Sequence, residues 1–299
     1  CMATLKDVKN KIGGVKKTRQ ITKAMNMVAA SRLRGAQSAV VAFRPYADKF
    51  SAVLGNLAER SGQEATSPLI IPHAEVNRIN VVLCTSDRGL CGGFNANLIA
   101  KARSLVKEKK EKNINILFTI FGKKGRDWCR KNEILIDSEH LGVVGSHIGF
   151  SVASDSGREL IKGFLTEKFD EVYIIFSKFV SMARQTPVVR QILPILPLEP
   201  SQEGGEGEDE AYLPEHICEP SPEKLVGEMF RRNIYIQLYR ALLETSTSEH
   251  AARMTAMDNA TKACNDMLDS LTLAYNKARQ ASITAELMDI IGGAEALKG

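Results

Sequence analysis

The sequence predicts a mixed fold in which a long antiparallel coiled coil, made from the two ends of the chain, carries an α/β domain inserted between them. Three observations lead there. Apolar residues near the N-terminus repeat at alternating three- and four-residue spacing, a second seven-residue register runs through the C-terminal segment, and short β-rich runs alternate with helical patterns in the middle.

The first element is a helix opening at Leu5. Its seam, Leu5, Val8, Ile12 and Val15, continues in register through Arg19, Thr22 and Asn26 and so turns polar. Ile21, Met25 and Val28 are expected to resume it on a shifted stripe. No Gly or Pro interrupts between Val15 and Arg34, and Pro45 is expected to bend the helix rather than end it. From Thr4 to about Ala58 such a helix would run about 80 Å, at about 1.5 Å per residue. That is too long for a compact domain.

The middle reads as layers. Arg78 to Cys84, Ile114 to Phe121 and Glu171 to Phe176 are β-rich runs, separated by helical patterns around residues 96–110, 124–132 and 151–167. Strands alternating with helices predict a mostly parallel, Rossmann-like sheet. Val188 to Leu198 is expected to add an edge strand, limited by Pro194 and Pro197. Residues 199–220 combine Pro, Gly and clustered acids, the composition of a surface loop.

After Pro220 and Pro222, Leu225, Met229, Ile236, Tyr239 and Leu243 make one stripe. Met254, Met257, Cys264, Leu268, Leu271, Tyr275 and Ala278 hold a seven-residue register broken only at Thr261. Two long seams at opposite ends of one chain bury each other, because an isolated helix would leave its stripe wet. The expected division is a coiled-coil helix over 2–60, the α/β domain over 72–198, an acidic loop over 199–220 and a second coiled-coil helix over 221–299.

Composition narrows the function classes. The 299 residues are 44% hydrophobic and 25% charged, ordinary for a core-forming protein, with only 6% aromatic. No run approaches the roughly 20 apolar residues that span a bilayer, and no signal peptide is recognisable. The expected location is therefore cytosolic or peripheral to a membrane. The six cysteines, Cys1, Cys84, Cys91, Cys129, Cys218 and Cys264, stand singly without zinc spacing, as in a reducing compartment. Cys1 precedes Met2 and is given no functional role. The net charge of +5 is unevenly spread: residues 1–44 hold ten Lys or Arg against Asp7 alone, and residues 197–220 hold eight acids and no Lys or Arg.

Four chemistries come into question. Ser86 to Asn95 (SDRGLCGGFN) is a Gly-rich turn between a strand and a helix, a place where phosphate can be cradled. It is neither G-x-G-x-x-G nor G-x-x-x-x-G-K-[ST], so a tight connection built on Gly is the better reading. Gly122-Lys123-Lys124-Gly125 fails the same test, since Arg126 stands where Ser or Thr would be needed. Cys91 beside Arg88 is a nucleophile candidate with no histidine near it in sequence, set against a small semi-buried cysteine. No metal, cofactor or hydrolase motif is found. The basic N-terminal helix raises the alternative of a nucleic-acid-binding scaffold; against it, the strip lacks aromatics before Phe43 and half of it serves a packing seam. A solvated face or an acidic protein partner ranks higher.

Three motifs then carry a resemblance along nearly the whole chain: Ile21 to Ser31 (ITKAMNMVAAS), the Ser86 to Asn95 loop, and Glu249 to Met257 (EHAARMTAM) followed by Tyr275 to Leu287 (YNKARQASITAEL). In this order they resemble the gamma subunit of F-type ATP synthases. The resemblance implies a non-catalytic rotor whose coiled coil stands within a ring of three alpha and three beta subunits. The α/β domain would meet epsilon and the membrane c-ring, peripheral to the cytoplasmic face of a bacterial inner membrane. It implies no cofactor, no metal and no nucleic acid. Lys23 and Met25 would contact the beta lever, Arg88 and Cys91 match a loop near that lever, and Arg279 and Gln280 would hydrogen-bond a beta-subunit loop with Thr284 and Glu286 nearby. The small residues past Glu286 fit a tip turning in an apolar sleeve. Chloroplast members carry a regulatory insert with two cysteines; with Cys218 alone, residues 199–220 are expected to be a variable loop without a thiol switch. The absence of a transit peptide points to a bacterial protein.

Overall fold

A computed structural model describes residues 5–61, 67–145, 148–195 and 222–296. The elements run α1 (Leu5–Ser61), β1 (Arg78–Cys84), α2 (Phe94–Glu111), β2 (Asn115–Phe121), α3 (Lys123–Lys131), β3 (Ile136–His140), α4 (Phe150–Leu165), β4 (Glu171–Phe179), β5 (Gln185–Leu193) and α5 (Pro222–Ala296). The chain divides into two compact units, Cys1–Ala30 with Arg253–Gly299, and Ser31–Ala252. Both long helices contribute to both units.

The first unit is an antiparallel pair of helices. Leu5, Val8, Ile12, Val15, Arg19, Thr22 and Asn26 of α1 are buried or half-buried, and so are Met254, Met257, Thr261, Cys264, Leu268, Leu271, Tyr275 and Ala278 of α5. The expected shift of stripe at Ile21 does not occur. Ile21 and Val28 stay exposed at 60% and 55%, and only Met25 is half-buried. The original register instead continues to Ala29; in the second unit α1 buries Leu33, Val40, Ala47 and Leu54. The physical reason is pairing of the polar layers across the seam: Thr22 Oγ1 meets Thr261 Oγ1 at 2.8 Å, Asn26 Nδ2 donates to the Met254 carbonyl at 2.9 Å, and Arg19 donates to Asn265 Oδ1 at 3.3 Å. Satisfied polar groups can stay in an interface. Pro45 lies inside α1 on its exposed face, where the missing N–H bond faces outward.

The second unit holds a five-stranded sheet of order β3-β2-β1-β4-β5. β1 pairs in parallel with β2 and β4, β2 with β3 likewise, and β4 pairs antiparallel with β5. One face, with Ile79, Val81, Leu83, Phe118 and Ile120, packs on Phe94, Leu98, Ala102 and Leu105 of α2 and Cys129 of α3. The other face, with Val82, Cys84, Phe121, Val172, Ile174 and Phe176, packs on Leu160 and Phe164 of α4, Leu238 and Leu242 of α5, and Val40 and Leu54 of α1. Gly157 permits the close approach of α4 to α5, since a Cβ there would stand 2.3 Å from the Tyr235 ring.

The edge strand arrives at Gln185–Leu193, with Pro194 just beyond it. β3 (IDSEH) was not expected. It is a half-exposed edge strand with burial on alternate residues and little apolar signal. In the centre of α5, residues 241–251 are all buried, including Glu244, Thr245, Ser246, Thr247, Ser248, Glu249 and His250. Thr245 and Thr247 donate to the carbonyls of Ala241 and Leu243 one turn back, and Ser248 Oγ donates to the Ser177 carbonyl of β4 at 3.1 Å. Local back-bonding of this kind lets small hydroxyl residues be buried in a helix.

Candidate functional site

A parallel α/β sheet normally binds small ligands beyond the carboxyl ends of its strands, at the point where the strand order reverses. Here that edge carries the Ser86 to Asn95 loop, between β1 and α2. The groups that a phosphate would use are engaged within the chain. The Ser86 N–H donates to Asn95 Oδ1 at 3.0 Å, and the Ser86 hydroxyl donates to the Arg88 carbonyl at 2.6 Å. The Lys123 N–H donates to Asp87 Oδ1 at 3.1 Å, and the Lys124 N–H to the Ser86 carbonyl at 3.2 Å. At the end of β4, Ser177 is met by Ser248 of α5. The bonds made by Ser86, Asp87 and Asn95 fix the shape of the Ser86 to Asn95 loop.

The glycines of Gly122-Lys123-Lys124-Gly125 serve packing. Gly122 has φ +94°, and a Cβ on it would fall 2.2 Å from the Thr85 carbonyl oxygen. The Gly125 N–H donates to Thr85 Oγ1 at 2.8 Å, and that hydroxyl donates to the Phe121 carbonyl at 3.1 Å. The thiol of Cys91 is buried and receives the Asn95 amide at 3.2 Å. It holds the shape of the loop, while Arg88 is exposed and Leu90, at φ +63°, is 63% exposed. Burial pushes the thiols of Cys84 and Cys129 up, the latter to about 12, so both remain protonated and inert. A cavity of about 620 Å³ lies at the opposite edge, where β1 and β2 begin, lined by Arg78, Val106, Lys110, Ile114, Ile134 and Leu135. Among the described residues no group of three or more His, Cys, Asp and Glu could hold a metal ion.

What the helices offer is surface. On α1, Lys23 is exposed and Met25 half-buried, flanked by Ile21 and Met27 at 60% and 59% exposure. On α5, Arg279, Gln280, Thr284 and Glu286 are all exposed. The Thr284 hydroxyl donates to the Gln280 carbonyl at 2.9 Å, and Ser282 donates to Glu286 Oε1 at 3.2 Å, which orders this stretch along the helix. Leu273, Ile283, Leu287, Met288, Ile290 and Ile291 are exposed beside them. Six of the eight residues singled out from sequence thus belong to the first unit, and Arg88 and Cys91 belong to the second. Ile290 and Ile291 fall in the stretch past Glu286 expected to turn in an apolar sleeve, whereas Leu273 and Ile283 were not singled out. Their signal was present, as apolar side chains lying off the seam register. Contiguous exposed apolar surface of this kind marks protein–protein contact.

A family model described as ATP synthase matches residues 4–297. The ATP synthase gamma chain of Desulfosudis oleivorans is 63% identical over 303 residues, covering all of both chains. That of Desulforapulum autotrophicum is 60% identical over 299 residues, covering 99% of this chain and 100% of the relative. The chain belongs to the ATP synthase gamma-chain family. Gamma chains are non-catalytic subunits of ATP synthase. The fold is shared with solved mitochondrial assemblies. A chain of the Euglena gracilis ATP synthase structure (OSCP/F1/c-ring) superimposes with a TM-score of 0.66 at 20% identity, covering 98% of this chain and 94% of that one. A chain of the Tetrahymena thermophila central stalk and c-ring structure gives 0.60 at 24%, covering 80% and 99%. No described helix of this gamma chain is long and apolar enough to cross a membrane.

Proposed function

We propose that this gamma chain is the rotating central shaft of a bacterial F-type ATP synthase. In that role residues 2–60 and 221–299 form the coiled coil inside a ring of three alpha and three beta subunits. Residues 72–198 form the foot on epsilon and the membrane c-ring, and 199–220 is a variable loop, which lies outside the described residues together with Cys218. The protein then sits peripherally on the cytoplasmic face of the inner membrane. The solved structures that share this fold, described as a central stalk with a c-ring, as OSCP/F1/c-ring and as a rotor, support this assignment.

The observation that carries the reading is the pairing in the first unit: a seam buried between two helices, with cations and large apolar side chains facing outward on both. Lys23 and Met25 of α1 and Arg279, Gln280, Thr284 and Glu286 of α5 are the contacts to the beta subunits. Arg88 adds one from the β1–α2 loop, whose shape Cys91 maintains. Such a shaft works by differential contact. Each angle presents another set of side chains to a given beta subunit and so favours another of its conformations. Arg279 suits a catch that must form and break, since its planar fork makes charge-assisted bonds to a carboxylate or carbonyl at one orientation only.

The reading is tested by ATP hydrolysis with purified alpha and beta subunits of the same source, with and without this chain. A large gain in steady turnover at one chain per six subunits is expected. Absence of both gain and complex would overturn it.

A further inference from the structure

The polar interruption of the seam sits directly behind the outward-facing residues of α1. Arg19, Thr22 and Asn26 occupy three successive seam layers, and each reaches across to α5: Arg19 to Asn265 at 3.3 Å, Thr22 to Thr261 at 2.8 Å, and Asn26 to the Met254 carbonyl at 2.9 Å. Thr22 is only 8% exposed. Thr22 Oγ1 is also within 3.1 Å of the Arg19 carbonyl, and Thr261 donates to the Met257 carbonyl at 2.8 Å, so the hydroxyl pair is tied into both helices. Lys23 and Met25 are chain neighbours of Thr22 and Asn26.

A seam of interchangeable apolar layers is degenerate. Sliding one helix by seven residues, about 10 Å, restores apolar contact along the whole seam. The hydroxyl pair and the amide-to-carbonyl bond remove that degeneracy. Any slide or roll breaks the Thr22–Thr261 and Asn26–Met254 bonds; each hydroxyl falls back on a carbonyl of its own helix, and the Asn26 amide is left against apolar neighbours, which is costly. The apolar layers of the first-unit seam, among them Val8, Ile12, Val15, Met257, Leu268 and Leu271, carry no hydrogen-bonding group to distinguish one register from the next.

We propose that Thr22, Asn26 and Thr261, with Arg19 and Asn265, are positioning residues. They lock the axial and rotational register of α1 on α5, and thereby fix the height and azimuth at which Lys23 and Met25 meet the beta subunit. The second half of this statement rests on the rotor reading above; the lock itself does not. The lock trades stability for register, as isolated polar layers in coiled-coil seams do. Replacing it with apolar residues leaves the melting temperature equal or higher while coupling falls. A residue that merely held the fold together would lower both.

The experiment uses the full chain, alone and assembled with alpha and beta subunits and the membrane sector. The variant is Thr22→Val, Thr261→Val, Asn26→Leu, and Thr22→Ser with Thr261→Ser is the conservative control. Spin labels at Lys16→Cys and Asp269→Cys, both exposed seats off the seam, report the interhelix distance in a background carrying Cys1→Ser, Cys218→Ser and Cys264→Ala. The expected result is one narrow distance for the native seam and the serine control. The apolar variant gives a broadened or second distance, up to about 10 Å away. Its ATP synthesis falls about fivefold relative to hydrolysis, the low end of what a coupling free energy between two sites is worth. A narrow, unshifted distance in the apolar variant would overturn the lock. Broadened distances with unchanged coupling would overturn its positioning role. If the native chain gives no stimulation of hydrolysis at all, the rotor reading fails, and the distance measurement still decides the lock.

Discussion

Asp170, just before β4, gathers the entrance to the sheet. Its carboxylate takes the His73 ring nitrogen Nδ1 at 2.9 Å and the N–H groups of Asn77 and Arg78 at 2.8 and 2.9 Å, while His73 stacks on Phe164 at 4.6 Å. Burial pushes the Asp170 carboxyl up, but hydrogen bonds from His73, Arg78 and Asn77 outweigh it and hold the group below its usual range. Asp170→Asn keeps the shape and one acceptor oxygen and removes the charge. Three charge-assisted bonds become at most neutral ones, a difference of about 1 kcal/mol each, so about 2–3 kcal/mol in all. For a folding unit of this size that is a fall in melting temperature of about 4–12 °C. A carboxyl whose folded pKa is depressed contributes stability that is present above its unfolded pKa, about 3.9, and is lost as pH falls through the folded value. The native chain should therefore lose stability between about pH 4 and its folded pKa, and Asp170→Asn should flatten that limb while lowering stability at neutral pH. Thermal unfolding followed by circular dichroism from pH 7 to pH 3 measures both. An unchanged melting temperature at pH 7 together with an unchanged acid limb would refute the reasoning.

Other substitutions separate structural from contact roles. His140 stacks on Phe121 at 4.7 Å and meets Ser156 Oγ at 3.2 Å. Burial lowers its pKa and Glu159 raises it less. The unfolded chain thus binds the proton first, stability declines as pH falls below about 6.5, and His140→Gln should remove that decline in denaturant titrations at pH 7 and pH 5.5. Gly122→Ala should cost more than about 3 kcal/mol or prevent folding, since the new Cβ meets the Thr85 carbonyl at 2.2 Å on a backbone of positive φ; soluble expression and melting temperature report it. Arg279→Ala should leave the isolated chain's melting temperature within about 1 °C while weakening ATP synthesis in reconstituted vesicles, and full synthesis would remove Arg279 from the contact surface.

The elements whose burial has one periodicity were legible. The α5 register from Met254 to Ala278 was read residue by residue because it is apolar at every layer but one. β1 was bounded at Arg78 and Cys84 because a strand buried on both faces is a continuous apolar run. The misreading at Ile21 has the same origin in reverse. Arg19, Thr22 and Asn26 look like surface residues until the partner helix supplies Asn265, Thr261 and the Met254 carbonyl, and no single-chain pattern reveals partners more than 220 residues away. β3 escaped because an edge strand buries only alternate side chains, and the buried part of α5 escaped because its Thr, Ser, Glu and His residues look like surface positions, while in the fold Thr245 and Thr247 bond back along the helix and Ser248 bonds the Ser177 carbonyl of β4. The contact residues came from motif resemblance. Their exposure and the apolar company of Leu273, Ile283 and Leu287 came from the structure.

The central claim is that this chain turns as a shaft. It is tested most directly by fixing a complex of alpha subunits, beta subunits and this chain to a surface through the beta subunits, attaching a bead to the α/β domain, and supplying ATP. Unidirectional stepping of the bead in proportion to ATP hydrolysed is the result expected. Sustained hydrolysis with a stationary bead still attached to the chain would contradict it.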